Sequence, residues 1–186
     1  NWEQENVPAI LNVWFGGSEA ALAIGDVLFG NVNPSGKLTT TFPKSVGQIP
    51  LFYNHKNTGR PLPQGAWFQK FRSNYLDVDN EPLYPFGYGL SYTEFSLDNV
   101  KLSTQKVTPD GVEVTADVTN IGQMDGTQTV LVYVKAEREG TPNPQLKGIA
   151  KAALKKGETK TVHITLPEEA FGLCDDDLSL IHISEP

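Results

Sequence analysis

The run Leu83-Tyr84-Pro85-Phe86-Gly87-Tyr88-Gly89-Leu90-Ser91-Tyr92-Thr93-Glu94-Phe95 separates two stretches of different periodicity, and this division constrains the fold more than any other feature of the chain. Aromatics and glycines this dense do not make a solvated linker. Gly87 and Gly89 permit positive φ and close backbone approach, and Pro85 fixes φ in an extended segment, so the rings can pack against the surfaces on either side. The run reads as a packed hinge between two modules, and it supports no chemistry of its own.

After the hinge the pattern alternates, most clearly in Val112-Glu113-Val114-Thr115-Ala116-Asp117-Val118, in Val130–Val134 and in Thr159–Leu166. Alternation with β-branched residues marks half-buried strands, and Asn120-Ile121-Gly122 and Lys156-Gly157-Glu158 supply the turns. Short strands at this spacing predict an antiparallel β-sandwich of immunoglobulin or fibronectin-III type.

Before the hinge, Val7–Phe15 is a short apolar run ending at Gly16-Gly17, which predicts a buried strand of a parallel sheet. A helix is expected next, with Ser18 as its cap, Glu19 in the first turn, Ala20–Phe29 as its body and Gly30 as its end. One strand–helix unit cannot cover both faces of a sheet, so further strands are expected to precede Asn1. The absence of an initial Met points the same way. Between Asn31 and about Glu81 periodicity fades and prolines recur, predicting an ordered irregular connector pinned by Trp67, Phe68, Phe71 and Tyr75.

The 186 residues carry 15 Lys and Arg against 22 Asp and Glu, a net charge of −7. With no basic stripe to release phosphate counterions, nucleic acid and anionic membrane surfaces are disfavoured as partners. The single cysteine, Cys174, excludes an internal disulfide framework. No apolar run reaches membrane-spanning length, and the opening residues lack the basic and apolar regions of a signal peptide.

The segment Gly30-Asn31-Val32-Asn33-Pro34-Ser35-Gly36-Lys37 superficially suggests a phosphate loop. Its glycines are one residue too far apart, Leu38 stands where a magnesium-binding hydroxyl belongs, and it follows a helix rather than a strand. His55, His163 and His182 have no metal ligand at recognised spacing, Cys174 has no activating partner, and Ser91 sits in no nucleophile elbow. Glycoside hydrolysis needs two carboxylates across the scissile bond, and Asp26, Asp77, Asp79 and Glu81 are the candidates. Asp26 is expected on the solvated face of its helix, and the other three in an acidic loop. Trp67, Phe68, Tyr75 and Arg60 suit a sugar-binding rim, since ring faces stack on sugars and guanidinium groups bond hydroxyls. Pinning of the connector is the preferred reading of these rings.

Taken together, Pro8-Ala9-Ile10-Leu11 with Trp14-Phe15-Gly16-Gly17, Leu28-Phe29-Gly30 with Asn33-Pro34-Ser35-Gly36-Lys37-Leu38, and Thr41–Ser45 resemble the close of the α/β sandwich domain of family 3 glycoside hydrolases. Asn57–Pro61, Ser73–Asp77 and the hinge resemble that family's interdomain connector. Val118–Gly122 with Asp125-Gly126, Gln145–Gly148 and Lys156–Glu158 resemble its fibronectin-III-like domain. The resemblance runs from about residue 5 to residue 177 and is nearest the periplasmic β-glucosidase and β-xylosidase type. It implies an α+β composite: the end of an α/β sandwich domain over 1–53, a connector over 54–93, and over 94–177 a truncated fibronectin-III-like antiparallel β-sandwich lacking its last strand or strands. Residues 178–186 resemble a non-native tail.

The resemblance also implies a retaining mechanism whose nucleophilic aspartate and acid/base glutamate belong to upstream domains, and neither motif occurs in this chain. The expectation is a scaffold portion of a β-glucosidase acting on terminal non-reducing β-D-glucosyl residues, inactive alone, with no catalytic, substrate-binding or metal residue and no cofactor assigned. A β-linked oligosaccharide or aryl glycoside would be met through the missing N-terminal domains. A periplasmic or secreted location follows from the resemblance alone. Oligomeric state, sugar and linkage preference, and contact between connector and substrate stay open. The alternative is a non-catalytic β-sandwich module that binds carbohydrate or protein.

Overall fold

A computed structural model describes residues 2–56, 59–63, 65–136, 143–174 and 180–182. Strands β1 (Phe95–Leu102), β2 (Val112–Asn120), β3 (Gly126–Val134), β4 (Gln145–Leu154), β5 (Thr159–Leu166), β6 (Gly172–Cys174) and β7 (Leu180–His182) are all antiparallel. They form a β1-β2-β5 sheet, a β3-β4 pair and a β6-β7 pair. Every second residue of β2 is buried, as its alternation requires. Val114, Ala116 and Val118 from β2 meet Val162, Ile164 and Leu166 from β5 and Ala152 and Leu154 from β4, with Val130 of β3 and Ala170, in one apolar core.

Alternation marks β2, β3 and β5 and leaves β1, β4 and the short β6 and β7 unmarked. In β1 the register shifts between Asp98 and Lys101 and Asn99 takes φ of +51°, so a bulge breaks the period of two. In β4 the run QLKGIAKAAL is poor in β-formers. Gly148 is required there by packing: a Cβ on it would lie 2.6 Å from Ile164 Cγ2 and 2.8 Å from Leu166 Cδ2 across the sandwich.

The N-terminal part differs from expectation. Residues 7–17 form no strand, and Ile10, Leu11, Val13, Trp14 and Phe15 are exposed. A strand exists only beside a hydrogen-bonding neighbour, and no neighbour lies beside this one among the described residues. Helix α1 spans Trp2–Asn6, and α2 spans Ala20–Leu28. The N-cap of α2 is Glu19 without a side-chain cap bond, so Ser18 does not cap it. Gly30, at φ +76°, ends it as expected.

Part of the hinge packs as its composition predicts, while Tyr88, Leu90 and Tyr92 stay exposed by 40, 73 and 48%. Phe86 stacks on Tyr53 at 4.1 Å, Tyr53 meets Tyr133 of β3 edge-on, Tyr84 stacks on Tyr88, and Phe42 bridges Trp14 and Tyr84. At Gly87, φ is +82° and a Cβ would sit 2.8 Å from both Leu131 Cδ1 and the Tyr133 hydroxyl. At Gly89 a Cβ would sit 2.5 Å from the Gly36 carbonyl oxygen. The stretch that mimics a phosphate loop is what the hinge closes on. Asn33 Oδ1 accepts from Ser91 Oγ (2.8 Å) and Tyr92 N (2.9 Å), and its Nδ2 donates to the Asp125 carbonyl (3.1 Å). Lys37 donates to the Gly89 carbonyl, and Thr129 of β3 donates to the Ser35 carbonyl. Residues 33–37 thereby clasp hinge and sandwich together.

Of the tail, Leu180–His182 pairs in register with Gly172–Cys174, while 175–179 and 183–186 lie outside the described residues.

Candidate functional site

The connector gathers most of the residues singled out for chemistry, and Gln48 organises it. Ser45 caps a 3-10 turn over Val46–Gln48 in a reciprocal box, where Gln48 Oε1 accepts from the Lys44 and Ser45 amides. Its other end, Nε2, donates to the Asp79 and Glu81 carbonyls at 3.0 and 3.2 Å, and the Tyr75 hydroxyl donates to the Gln48 carbonyl at 3.0 Å. Only 1% of Gln48 is exposed. A buried amide with every group bonded fixes its partners, here joining residues 44–48 to 75–81.

That joint positions the acidic loop. Lys44 Nζ donates to both Asp79 oxygens at 2.7 and 2.8 Å, and the bonded ammonium holds the Asp79 carboxyl below the usual carboxylate range. The Glu81 amide also donates to Asp79, at 3.0 Å. Asp79 is therefore an anchored structural anion. Asp77 is exposed, and Asp26 is exposed on α2, where it accepts from Asn31 at 3.2 Å. Of the four candidate carboxylates, Asp79 and Glu81 stand together and Asp26 lies on a separate element.

The pinning aromatics divide. Tyr75 holds the connector through Gln48, as expected. Trp67, Phe68 and Phe71 are exposed by 59, 49 and 73%, so none of them pins it against the described residues, and Phe71 adopts φ of +66°. The Gln48 joint fixes residues 44–48 against 75–81 through polar groups, and none of its bonds reaches residues 66–72. Leu62, Pro63, Ala66, Trp67, Asn80 and Glu81 border a hollow of about 170 Å³. Arg60 is exposed, and its carbonyl accepts from the Ser73 amide.

His55 lies 3.2 Å from Asn143, and His163 lies 3.2 Å from Glu113 on the outer face of the sandwich. No group of three metal-ligating side chains occurs among the described residues. Burial lowers the Lys37 ammonium, which is held by a backbone carbonyl rather than a carboxylate.

Residues 1–92 match the family model described as the glycosyl hydrolase family 3 C-terminal domain, and residues 128–184 match the fibronectin type III-like domain. The chain belongs to glycoside hydrolase family 3. Within that family it is 48% identical over 173 residues to the periplasmic β-glucosidase of Salmonella typhimurium, covering 91% of this chain and 22% of that protein. It is 38% identical over 184 residues to a β-xylosidase of Formosa agariphila, covering 97% of this chain and 24% of that one. A crystal structure of a β-glucosidase from Listeria innocua in complex with gluconolactone superposes with a TM-score of 0.84 at 39% identity, over 92% of this chain and 24% of the other. The chain thus spans about a quarter of the length of these family 3 relatives and corresponds to their C-terminal part. The mostly antiparallel fold with few helices agrees with the composite that the resemblance implies.

Proposed function

We propose that this chain is the supporting C-terminal part of a retaining β-glucosidase and is inactive alone. The observation that carries the reading is its likeness, over 92% of its length, to a β-glucosidase four times as long. The connector supports it. Asp79 is committed to Lys44, which leaves Glu81 without a free carboxylate opposite it in the hollow. A retaining mechanism uses two carboxyl groups about 5–5.5 Å apart, one forming the glycosyl-enzyme and the other protonating the leaving oxygen and then activating water. Both would be contributed by domains outside this chain, together with the pocket for a terminal β-D-glucosyl unit.

The exposed apolar ledge over residues 7–29 fits the same proposal. Trp14, Phe15, Leu28 and Phe29 present the kind of surface that an adjoining α/β sheet buries, and residues 7–15 would become a strand on gaining a neighbour. We assign 1–53 to the close of that α/β domain, 54–93 to the connector and 94–177 to the sandwich. A periplasmic location is carried over from the Salmonella relative's name; among the described residues no helix is long and apolar enough to cross a membrane.

The test is a graft. This chain replaces the aligned 173 residues of the Salmonella protein, and the product is assayed with an aryl β-glucoside. The expected result is hydrolysis by the graft and no release above buffer by the chain alone. A folded but inactive graft, or protein-dependent turnover by the chain alone, overturns the proposal.

A further inference from the structure

Asn120, the last residue of β2, is fully buried, and every hydrogen-bonding position of its side-chain amide is filled. Its Oδ1 accepts from Thr93 Oγ1 at 2.8 Å and from the Gly122 amide at 3.1 Å, and its Nδ2 donates to the Met124 and Leu154 carbonyls at 2.7 and 3.4 Å. Thr93, where the hinge enters the sandwich, is buried too and has no room to shift: a Cβ on Gly122 would collide with its Oγ1, and one on Gly126 would lie 2.9 Å from its Cγ2. From Thr93 the bonds run on toward the N-terminal part. The Thr93 amide donates to Ser91 Oγ at 3.3 Å, Ser91 Oγ donates to Asn33 Oδ1 at 2.8 Å, and Asn33 Nδ2 donates to the Asp125 carbonyl at 3.1 Å. Asp125 follows Met124, whose carbonyl Asn120 already holds, so the path closes on itself. The Tyr92 and Gly122 amides fix which end of each asparagine is the oxygen, because a backbone N–H can only donate.

We propose that Asn33 and Asn120 form a latch through which the hinge and the 121–125 turn order each other, so that opening one opens the other. Each event strands polar groups on the opposite side. If the hinge lifts, Thr93 Oγ1 leaves a buried Asn120 Oδ1 that water does not reach. If the turn lifts, the Met124 and Asp125 carbonyls withdraw from Asn120 Nδ2 and Asn33 Nδ2 together. A buried group left without its partner bears its full desolvation penalty, so neither half opens cheaply while the other stays closed. Thr93 is the coupling residue, since its amide is committed to the hinge side and its hydroxyl to the sandwich side. The latch rests on bonds within this chain and does not depend on the β-glucosidase reading.

The test is native-state hydrogen exchange on the whole chain labelled with nitrogen-15, following the Tyr92 amide on the hinge side and the Gly122 amide on the turn side. Thr93→Val keeps the branched shape and removes only the hydroxyl. The bond from Tyr92 to Asn33 is left in place, yet the protection of Tyr92 should fall about tenfold together with that of Gly122. Asn33→Ala leaves the bonds from Gly122 to Glu94 and Asn120 in place, and it should lower the Gly122 protection by about the same factor, because a coupling acts equally in both directions. Amides of the β2–β5 ladder should keep their protection in both variants, since the latch opens without the core. Faster exchange only at the amide nearest each substitution overturns the proposal. So does an equal loss of protection along the β2–β5 ladder, which would make the ring a share of global stability and no latch. Ser91→Ala cuts the ring at a half-buried hydroxyl, carries the same expectation at Gly122, and decides the matter if Thr93→Val does not fold.

Discussion

Asn33→Ala measures how firmly the two modules are joined. The substitution removes three hydrogen bonds, from Ser91 Oγ, to the Asp125 carbonyl and from the Tyr92 amide, at 2.8, 3.1 and 2.9 Å. Each is worth about 0.5–1.5 kcal/mol net, and Asn33 is half-buried, so water can re-satisfy some of the released groups; the expected loss is about 2–3 kcal/mol. For a chain of this size that corresponds to a fall in Tm of roughly 4–12 °C. Urea denaturation gives the stability change, and hydrogen exchange at the Tyr92 amide shows whether the loss is local to the clasp. A Ser91→Ala variant closes a cycle: because both residues serve one bond, the double variant should cost about 1 kcal/mol less than the sum of the singles. A loss below about 0.5 kcal/mol with unchanged Tyr92 protection would refute the clasp, since bonds that cost so little to remove do not join modules.

Gly148→Val should destabilise by at least about 1–3 kcal/mol in urea, because the added carbons enter space held by Ile164 and Leu166; a neutral result would mean that β4 and β5 do not meet there. Asp79→Asn should cost about 0.5–1 kcal/mol at pH 7, the value of a partly exposed pair. The folded Asp79 carboxyl is depressed, so its stabilisation is complete above the unfolded value of about 3.9 and is lost as pH falls through the lower folded value. The stability gap between the parent and this variant should therefore close as pH falls below about 4, and a gap that widens there would contradict the assignment.

Where alternation is strict the strands were legible, as in β2 and β5, because a side-chain period of two leaves one face for the core whatever else surrounds it. The bulge at Asn99 and the alanines and glycine of β4 erased that signal from β1 and β4, whose strand state is supplied by their neighbours. Residues 7–15 show the converse: an apolar run satisfies a strand's composition without providing the partner that makes one. At the candidate site, residue type marked Trp67 and Glu81, yet nothing local distinguishes a ring that is covered from one that is bare.

Local chemistry was enough to establish the aromatic hinge, the end of α2 at Gly30 and the sandwich's alternating strands, since dihedral freedom and side-chain period act within a few residues. Three-dimensional packing assigned the rest: Asn33 to the clasp, Gln48 to the joint beneath the acidic loop, Asp79 to Lys44, and Trp67 to the surface. Those outcomes depend on which distant groups come within about 3 Å of one another, and hydrogen bonds of that length join residues far apart along the chain.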